Sequence, residues 1–152
     1  MKVVIAAVGK PRNAVLAAAI EHYEGRAARY WPLEVREVKE ESGRASPDQV
    51  KEKEGERLAA RTAGAAVVIC DERGASMTSP EFAQFLQGAR ERARDVAFVI
   101  GGAYGLAESV RAGAQRRISL APWTLPHELA RLVLAEQLYR AGTIVRGEPY
   151  HK

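Results

Sequence analysis

Apolar and polar residues along this chain alternate between two rhythms. Val3-Val4-Ile5-Ala6-Ala7-Val8 is a continuous apolar run closed by Gly9, the pattern of a strand buried on both faces. From about Asn13 to Tyr30 the apolar residues Val15, Leu16, Ala19, Ile20 and Tyr23 recur at helical spacing. That stretch stops at Trp31-Pro32, because proline disfavours helix in the residue before it. Leu33 to Val38 alternates imperfectly and predicts a strand, placed at an edge. Residues 39–46 are polar, carry Gly43 and predict a loop. Ser46-Pro47-Asp48 opens a helix with Ser46 at the N-cap, and Gly64 is its expected C-cap. The body of that helix is thick with charge, as on a solvated face laced with short-range ion pairs.

A second apolar run, Ala65 to Cys70, predicts another buried strand, closed by Asp71-Glu72-Arg73-Gly74. Ser79-Pro80-Glu81 starts a helix expected to reach Arg94, and Val96 to Ile100 is a third buried strand running into Gly101-Gly102. A short helix over Glu108–Gln115 follows, then a short strand over Ile118–Leu120. A long helix spans Pro126–Ala141, and Thr143-Ile144-Val145 leads into the tail Arg146–Lys152. Strands separated by helical segments imply right-handed crossovers, hence one α/β domain over residues 1–152. Its sheet is mostly parallel, with helices on both faces.

Composition narrows this picture without changing it. The chain has 152 residues, and its 47% hydrophobic and 28% charged content is that of a globular domain. No apolar run approaches the roughly 20 residues needed to cross a bilayer, and Gly9 and Pro11 break the opening stretch too early for a signal peptide. Cys70 is the only cysteine, so disulfides and multi-cysteine metal sites are excluded and the expected location is cytoplasmic. The net charge of +4 comes from 23 basic residues, 17 of them arginine, against 19 acidic ones. Arginine suits phosphate contact and base stacking, but an excess this small leaves nucleic-acid binding open.

In open parallel sheets ligands bind beyond the carboxyl ends of the strands. Three segments fall there: Cys70–Gly74, Gly101–Leu106 and Leu120–Pro126. The GGxxG spacing of the second is neither a dinucleotide fingerprint nor a P-loop, so its glycines serve either ligand contact or tight packing. The third holds Pro122, Trp123 and Pro126 and reads either as the wall of an adenine-sized pocket or as a loop packed into the core. The helix that follows is apolar nearly all round and needs covering by the sheet and by a second subunit. Glu136 and Arg140 pair across one turn, as a structural ion pair or as part of an interface site. His22 reads as a surface residue. Asp71 and Glu72 read as turn residues rather than metal ligands, and no zinc, Ser-hydrolase or Cys–His signature is present.

Several motifs recur in an order that carries a resemblance. They are Gly101-Gly102-x-x-Gly105-Leu106, Thr124-Leu125-Pro126-His127, Glu136 to Ala141 and the tail Arg146 to Lys152, with Val8-Gly9-Lys10 and Lys53 to Glu56 upstream. Together they resemble the RlmH-type ribosomal RNA large-subunit pseudouridine methyltransferases of the SPOUT superfamily. The resemblance implies a carboxy-terminal trefoil knot, a homodimer with the site at its interface, and S-adenosylmethionine as cofactor, without a metal or a membrane. It further implies methylation of N3 of a pseudouridine in 23S rRNA on assembled ribosomes. The cofactor positions it implies are Cys70, Gly101, Leu120, Ala121, Pro122, Trp123, Thr124 and Leu125. Cys70 stands where the family usually has an aliphatic residue, and Ala121-Pro122-Trp123 replaces a more polar or flexible stretch. The RNA-side positions are His127, Arg140, Tyr150 and His151, with Arg140 as electrostatic partner and His127 or His151 as proton acceptor. The competing readings are a tRNA methyltransferase of the same fold and a non-catalytic nucleotide-binding module associated with the ribosome.

Overall fold

A computed structural model of the chain describes residues 1–42 and 44–152; Gly43, expected in the polar loop, lies outside the described residues. Ten elements follow in order: β1 Val3–Val8, α1 Ala14–Ala27, β2 Leu33–Val38, α2 Pro47–Thr62, β3 Ala66–Ser76, α3 Ser79–Glu91, β4 Val96–Ile100, α4 Glu108–Gly113, β5 Arg116–Ser119 and α5 His127–Val145. The strands form one sheet in the order β2-β1-β4-β3-β5, and every pairing is parallel. β2 is an edge strand, as its imperfect alternation predicts.

The apolar run of β1 feeds two cores because successive side chains point to opposite faces. Val3, Ile5 and Ala7 join Phe98, Ile100, Leu134 and Leu138 beneath α1, α3 and α5. Val4, Ala6 and Val8 join Leu58, Ile69 and Val99 beneath α2. The fully buried apolar residues of α5, Leu134, Ala135, Leu138 and Ala141, lie along one stripe of the helix. The Trp31 indole N–H donates to the Leu138 carbonyl at 2.8 Å, and the Arg90 guanidinium covers its ring at 4.0 Å.

Local start signals act as the sequence implies. Ser46 and Gln49 form a capping box at the start of α2, and Thr78 and Glu81 form one at α3. Thr78, just before the Ser79-Pro80-Glu81 start, is thus the cap of α3. Several boundaries differ from the sequence reading. α1 spans Ala14–Ala27, α3 stops at Glu91 and α4 at Gly113, while β5 starts two residues before Ile118 and ends at Ser119 rather than Leu120. α5 continues to Val145 instead of ending at Ala141, because its last turn stays buried through Gly142 and Thr143. β3 does not close at Cys70. It runs through Asp71–Gly74 to Ser76, with a register shift against β5 between Cys70 and Ala75. Gly74 permits this: a Cβ there would lie 2.6 Å from the Ile118 carbonyl carbon.

Candidate functional site

β1, β4 and β3 run parallel in register, so their carboxyl ends open on the same side of the sheet. There the loop after β4, residues 101–107, faces the loop after β5, residues 120–126. Between them lies a cavity of about 690 Å³, within the range of small-molecule sites. Its apolar floor is Ile100, Leu106, Leu120, Leu125 and Ala130, and Asp71, Glu72 and Arg111 stand at one side. His127, at the first turn of α5, forms part of its wall and also borders a narrow adjoining cleft with Gly9, Lys10 and Arg131.

The walls are pinned by contacts that the sequence did not reveal. Arg111 Nε donates to Asp71 Oδ2 at 3.0 Å, joining α4 to the extended part of β3. The Thr124 hydroxyl donates to the Glu72 carboxylate, and the Ser119 hydroxyl donates to the Ala121 carbonyl at 2.6 Å. Gly101 is in tight contact across its own loop: a Cβ would sit 2.9 Å from the Gly105 carbonyl carbon and 3.0 Å from Leu106 Cγ. Gly102 and Gly105 close that loop with an antiparallel bridge, Gly105 taking a φ of +82°. Two exposed aromatic rings stand at the mouth, Tyr104 on one loop and Trp123 on the other.

Of the residues implied as cofactor positions, Cys70, Gly101, Leu120, Ala121, Trp123, Thr124 and Leu125 all line this cavity. Pro122 does not; it is exposed and turns away from the lining. Burial pushes the Cys70 thiol up to about 12, so it contributes a small apolar surface and no thiolate. Glu54, on α2, is nearly fully buried and stands next to Gly102: a Cβ there would lie 2.8 Å from its Oε1. Desolvation holds its carboxyl above the ordinary range, partly offset by the hydrogen bond from the Glu41 backbone N–H.

The RNA-side residues divide. His127 belongs to the cavity, whereas Arg140, Tyr150 and His151 gather at the other end of α5. Thirteen residues of helix, at about 1.5 Å each, separate His127 from Arg140 by roughly 20 Å. At the far end Arg140 is paired with Glu136 at 2.6 Å, and its Nη1 faces His151 Nδ1 at 3.3 Å. The Tyr150 hydroxyl donates to Glu136 at 3.0 Å, and its ring packs against Tyr139 at 4.6 Å. Between the two ends Arg131 is buried, donating from Nε to Glu24 at 2.7 Å and from Nη1 to Glu37 at 2.8 Å. His22 is exposed, its ring edge-on to Tyr23. Among the described residues no group of three or more His, Cys, Asp or Glu side chains is placed to hold a metal ion, and no helix is long and apolar enough to cross a membrane.

The family whose model matches residues 1–151 is described as "Predicted SPOUT methyltransferase". The chain belongs to the SPOUT methyltransferases. Within that family it is 65% identical over 154 residues to the ribosomal RNA large subunit methyltransferase H of Gemmatimonas aurantiaca, covering all of both chains. It is 48% identical over 153 residues to the protein of the same name from Anaeromyxobacter sp. strain K, again over the full length of both. Solved structures share the fold at low identity. TrmJ from Z. mobilis superposes with a TM-score of 0.55 at 18% identity, over 100% of this chain and 73% of that one. A probable methylase family protein from Haemophilus influenzae gives 0.57 at 13%, over 99% and 70%. The α/β architecture read from the hydrophobic pattern is therefore also that of these solved structures.

Proposed function

We propose that this SPOUT methyltransferase transfers a methyl group from S-adenosylmethionine to N3 of a pseudouridine in the 23S rRNA of the large ribosomal subunit. In this reading it works in the cytoplasm as a homodimer. The observation that carries the proposal is the cavity at the strand ends, built by the residues that the resemblance assigns to the cofactor. It stands in a chain matched along its whole length by ribosomal RNA large subunit methyltransferases H.

The cavity fits the cofactor by its own chemistry. An apolar floor suits adenine, residues 120, 121 and 123–125 offer backbone groups in the lining, and Gly101 lets its own loop fold tightly at the cavity edge, since a Cβ there would meet Gly105 and Leu106. Glu72 is the acid in the lining that suits an ammonium group, while Asp71 and Arg111 are paired with each other there. Pro122 has no N–H, so the backbone contacts there come from its neighbours. S-adenosylmethionine held in such a site supplies an electrophilic methyl on its sulfonium.

The protein's part is to position the target base and manage one proton. N3 of the base loses its proton as it bonds to the methyl, so an acceptor and a nearby cation both lower the barrier. His127, in the cavity wall, is the proposed acceptor, and Arg140 the cation that stabilises the N3 anion. Because roughly 20 Å of α5 separates them, a second copy must bring its Arg140, Tyr150 and His151 to the first copy's His127. The half-buried Leu129, Leu132 and Val133 on the outer side of α5 give that copy an apolar surface. From edge strand β5 the chain returns to α5, which packs with α1 and α3; a knotted threading of this segment is what the family resemblance implies.

The deciding experiment is transfer of labelled methyl to whole ribosomes, free large subunits and tRNA. Label is expected at a pseudouridine of the large subunit, foremost in whole ribosomes; label in tRNA with none in ribosomal RNA overturns the proposal. Subunit mixing tests the composite site. His127→Ala and Arg140→Ala chains are each expected to be inactive. Co-assembled one to one, they should recover about a quarter of wild-type turnover, since half the dimers then hold one intact site of two. No recovery in verified heterodimers refutes sharing of the site.

A further inference from the structure

Glu136 sits where the far end of α5 meets the carboxy-terminal tail. Its Oε1 accepts three hydrogen bonds: from Arg140 Nε at 3.0 Å, from Arg140 Nη2 at 2.6 Å and from the Tyr150 hydroxyl at 3.0 Å. Its Oε2 accepts from Gln137 Nε2 at 2.8 Å, and Gln137 Oε1 accepts from the Ser79 hydroxyl at the start of α3 at 2.8 Å. The carboxylate is thus fixed by the packed body of the domain on one side and holds two functional side chains on the other. Around it, the Arg140 guanidinium lies over the Tyr150 ring at 4.7 Å and reaches His151 Nδ1 with its remaining nitrogen.

A helix pair one turn apart needs only Glu136 and Arg140, and contributes a few tenths of a kcal/mol. That reading leaves Tyr150 unexplained. It lies fourteen residues beyond Glu136, past the end of α5, in a segment that no helix or strand holds in place. Pairing also has a cost for RNA binding, because Glu136 cancels the charge that Arg140 would offer to phosphate.

We propose that Glu136 is a positioning residue for methyl transfer, locking Arg140, Tyr150 and His151 into one unit aligned for the target nucleotide at the expense of RNA affinity. The inference rests on the proposed function, in which those three residues meet the RNA. It predicts opposite signs for turnover and binding. Removing the carboxylate disorders the tail and slows the chemistry, yet frees a guanidinium that strengthens electrostatic attachment.

The test compares Glu136→Ala, Glu136→Gln and Arg140→Ala in the full-length dimer. Turnover is measured on ribosomes at saturating cofactor, S-adenosylmethionine affinity by calorimetry, and large-subunit binding across a salt series. Glu136→Ala should lose on the order of 100-fold in kcat, the scale of misplacement by about 1 Å, with cofactor affinity unchanged. Its large-subunit affinity should hold or rise, with the log–log salt slope steeper by about 0.7–0.9, one added phosphate contact. Glu136→Gln keeps the acceptor oxygen for Tyr150 and should regain most of the lost kcat while retaining the steeper slope. The positioning role is overturned if Glu136→Ala keeps wild-type kcat, or if kcat, cofactor affinity and RNA affinity fall together without rescue by glutamine. A fully active Arg140→Ala instead overturns the proposed use of Arg140. If Arg140→Ala is inactive and Glu136→Ala active, the proposed function survives and only the positioning role falls.

Discussion

Arg131 offers the sharpest test of how the domain holds α5 in place. Its side chain is 8% exposed and makes three hydrogen bonds to two carboxylates, two to Glu24 on α1 and one to Glu37 on β2. Arg131→Ala removes the shared cation and leaves two acids facing each other across a small cavity. Breaking a buried pair in this way costs about 3–5 kcal/mol, far more than the pair contributes over an apolar replacement. Glu37 keeps 27% of its side-chain surface in water, which places the expected loss toward the lower figure, about 3 kcal/mol. For a domain of this length that corresponds to a fall in Tm of roughly 6–12 °C. Urea titration gives the free energy and thermal melting the Tm, each at low and high salt. Because the cluster is largely buried, the loss should change little with ionic strength. A loss below about 1 kcal/mol, or one that vanishes in salt, is the behaviour of a surface pair and would refute this account. Arg131→Met combined with Glu24→Gln and Glu37→Gln should recover much of the stability by removing the uncompensated charges together.

Glu54→Gln should stabilise the protein at neutral pH. A carboxyl raised by burial binds more protons folded than unfolded, so stability falls as pH climbs above the ordinary glutamate value of about 4.3. Melting curves should therefore show the gain above that value and none below it; a gain independent of pH would count against burial as its cause. Cys70, its thiol pushed up to about 12 by burial, should resist alkylation at pH 8 in the native protein and react readily in denaturant. Modification at the rate of an exposed cysteine would contradict the packing of the cavity wall. Gly101→Ala places a Cβ 2.9 Å from the Gly105 carbonyl carbon. At about 1–3 kcal/mol of overpacking in the loop, it should weaken S-adenosylmethionine binding about tenfold or more with the fold retained, as calorimetry and circular dichroism would show.

Hydrophobic patterning carried most of the architecture because β1 and β4 are buried along their whole length and carry no charge. The same logic failed at β3. Asp71, Glu72 and Arg73 look like a turn, but the strand continues because Arg111 meets Asp71, Thr124 meets Glu72, and Gly74 lets β5 close in. It also cut α5 short. Thr143-Ile144-Val145 has the β-branched look of an exit from helix, yet the Thr143 hydroxyl bonds back to the Arg140 carbonyl at 2.7 Å and burial carries the helix onward. The cavity itself was legible, since a parallel sheet brings its carboxyl-end loops together whatever side chains they bear. The partners of Arg131 were not: Glu24 and Glu37 lie 107 and 94 residues away, and no local pattern links them. Tyr150 on Glu136 escaped notice for a related reason, because a tail without periodicity shows only residue types, not the surface on which it docks.

The charge distribution bears on how such a small domain meets RNA. The net charge is +4, but the cations nearest the proposed site are largely spoken for: Arg140 by Glu136, Arg131 by Glu24 and Glu37, Arg111 by Asp71. Lys10 beside the cavity and Lys152 next to His151 are exposed and have no acidic partner among the described residues, so they are among the cations one copy can offer to phosphate. Two such contacts supply little affinity, since binding to nucleic acid grows with each phosphate neutralised and falls steeply with salt. A dimer doubles the number without changing the principle. Specific placement must then come from the shape of a substrate folded in advance, against which a rigid α5 and a pinned tail can be aligned. The pairing that weakens attachment to loose RNA is the same pairing that keeps Arg140 in one orientation. A short single-stranded RNA carrying the pseudouridine should therefore be a poor substrate at moderate salt, and methyl transfer to it as efficient as to the ribosome would show that affinity for the strand itself suffices.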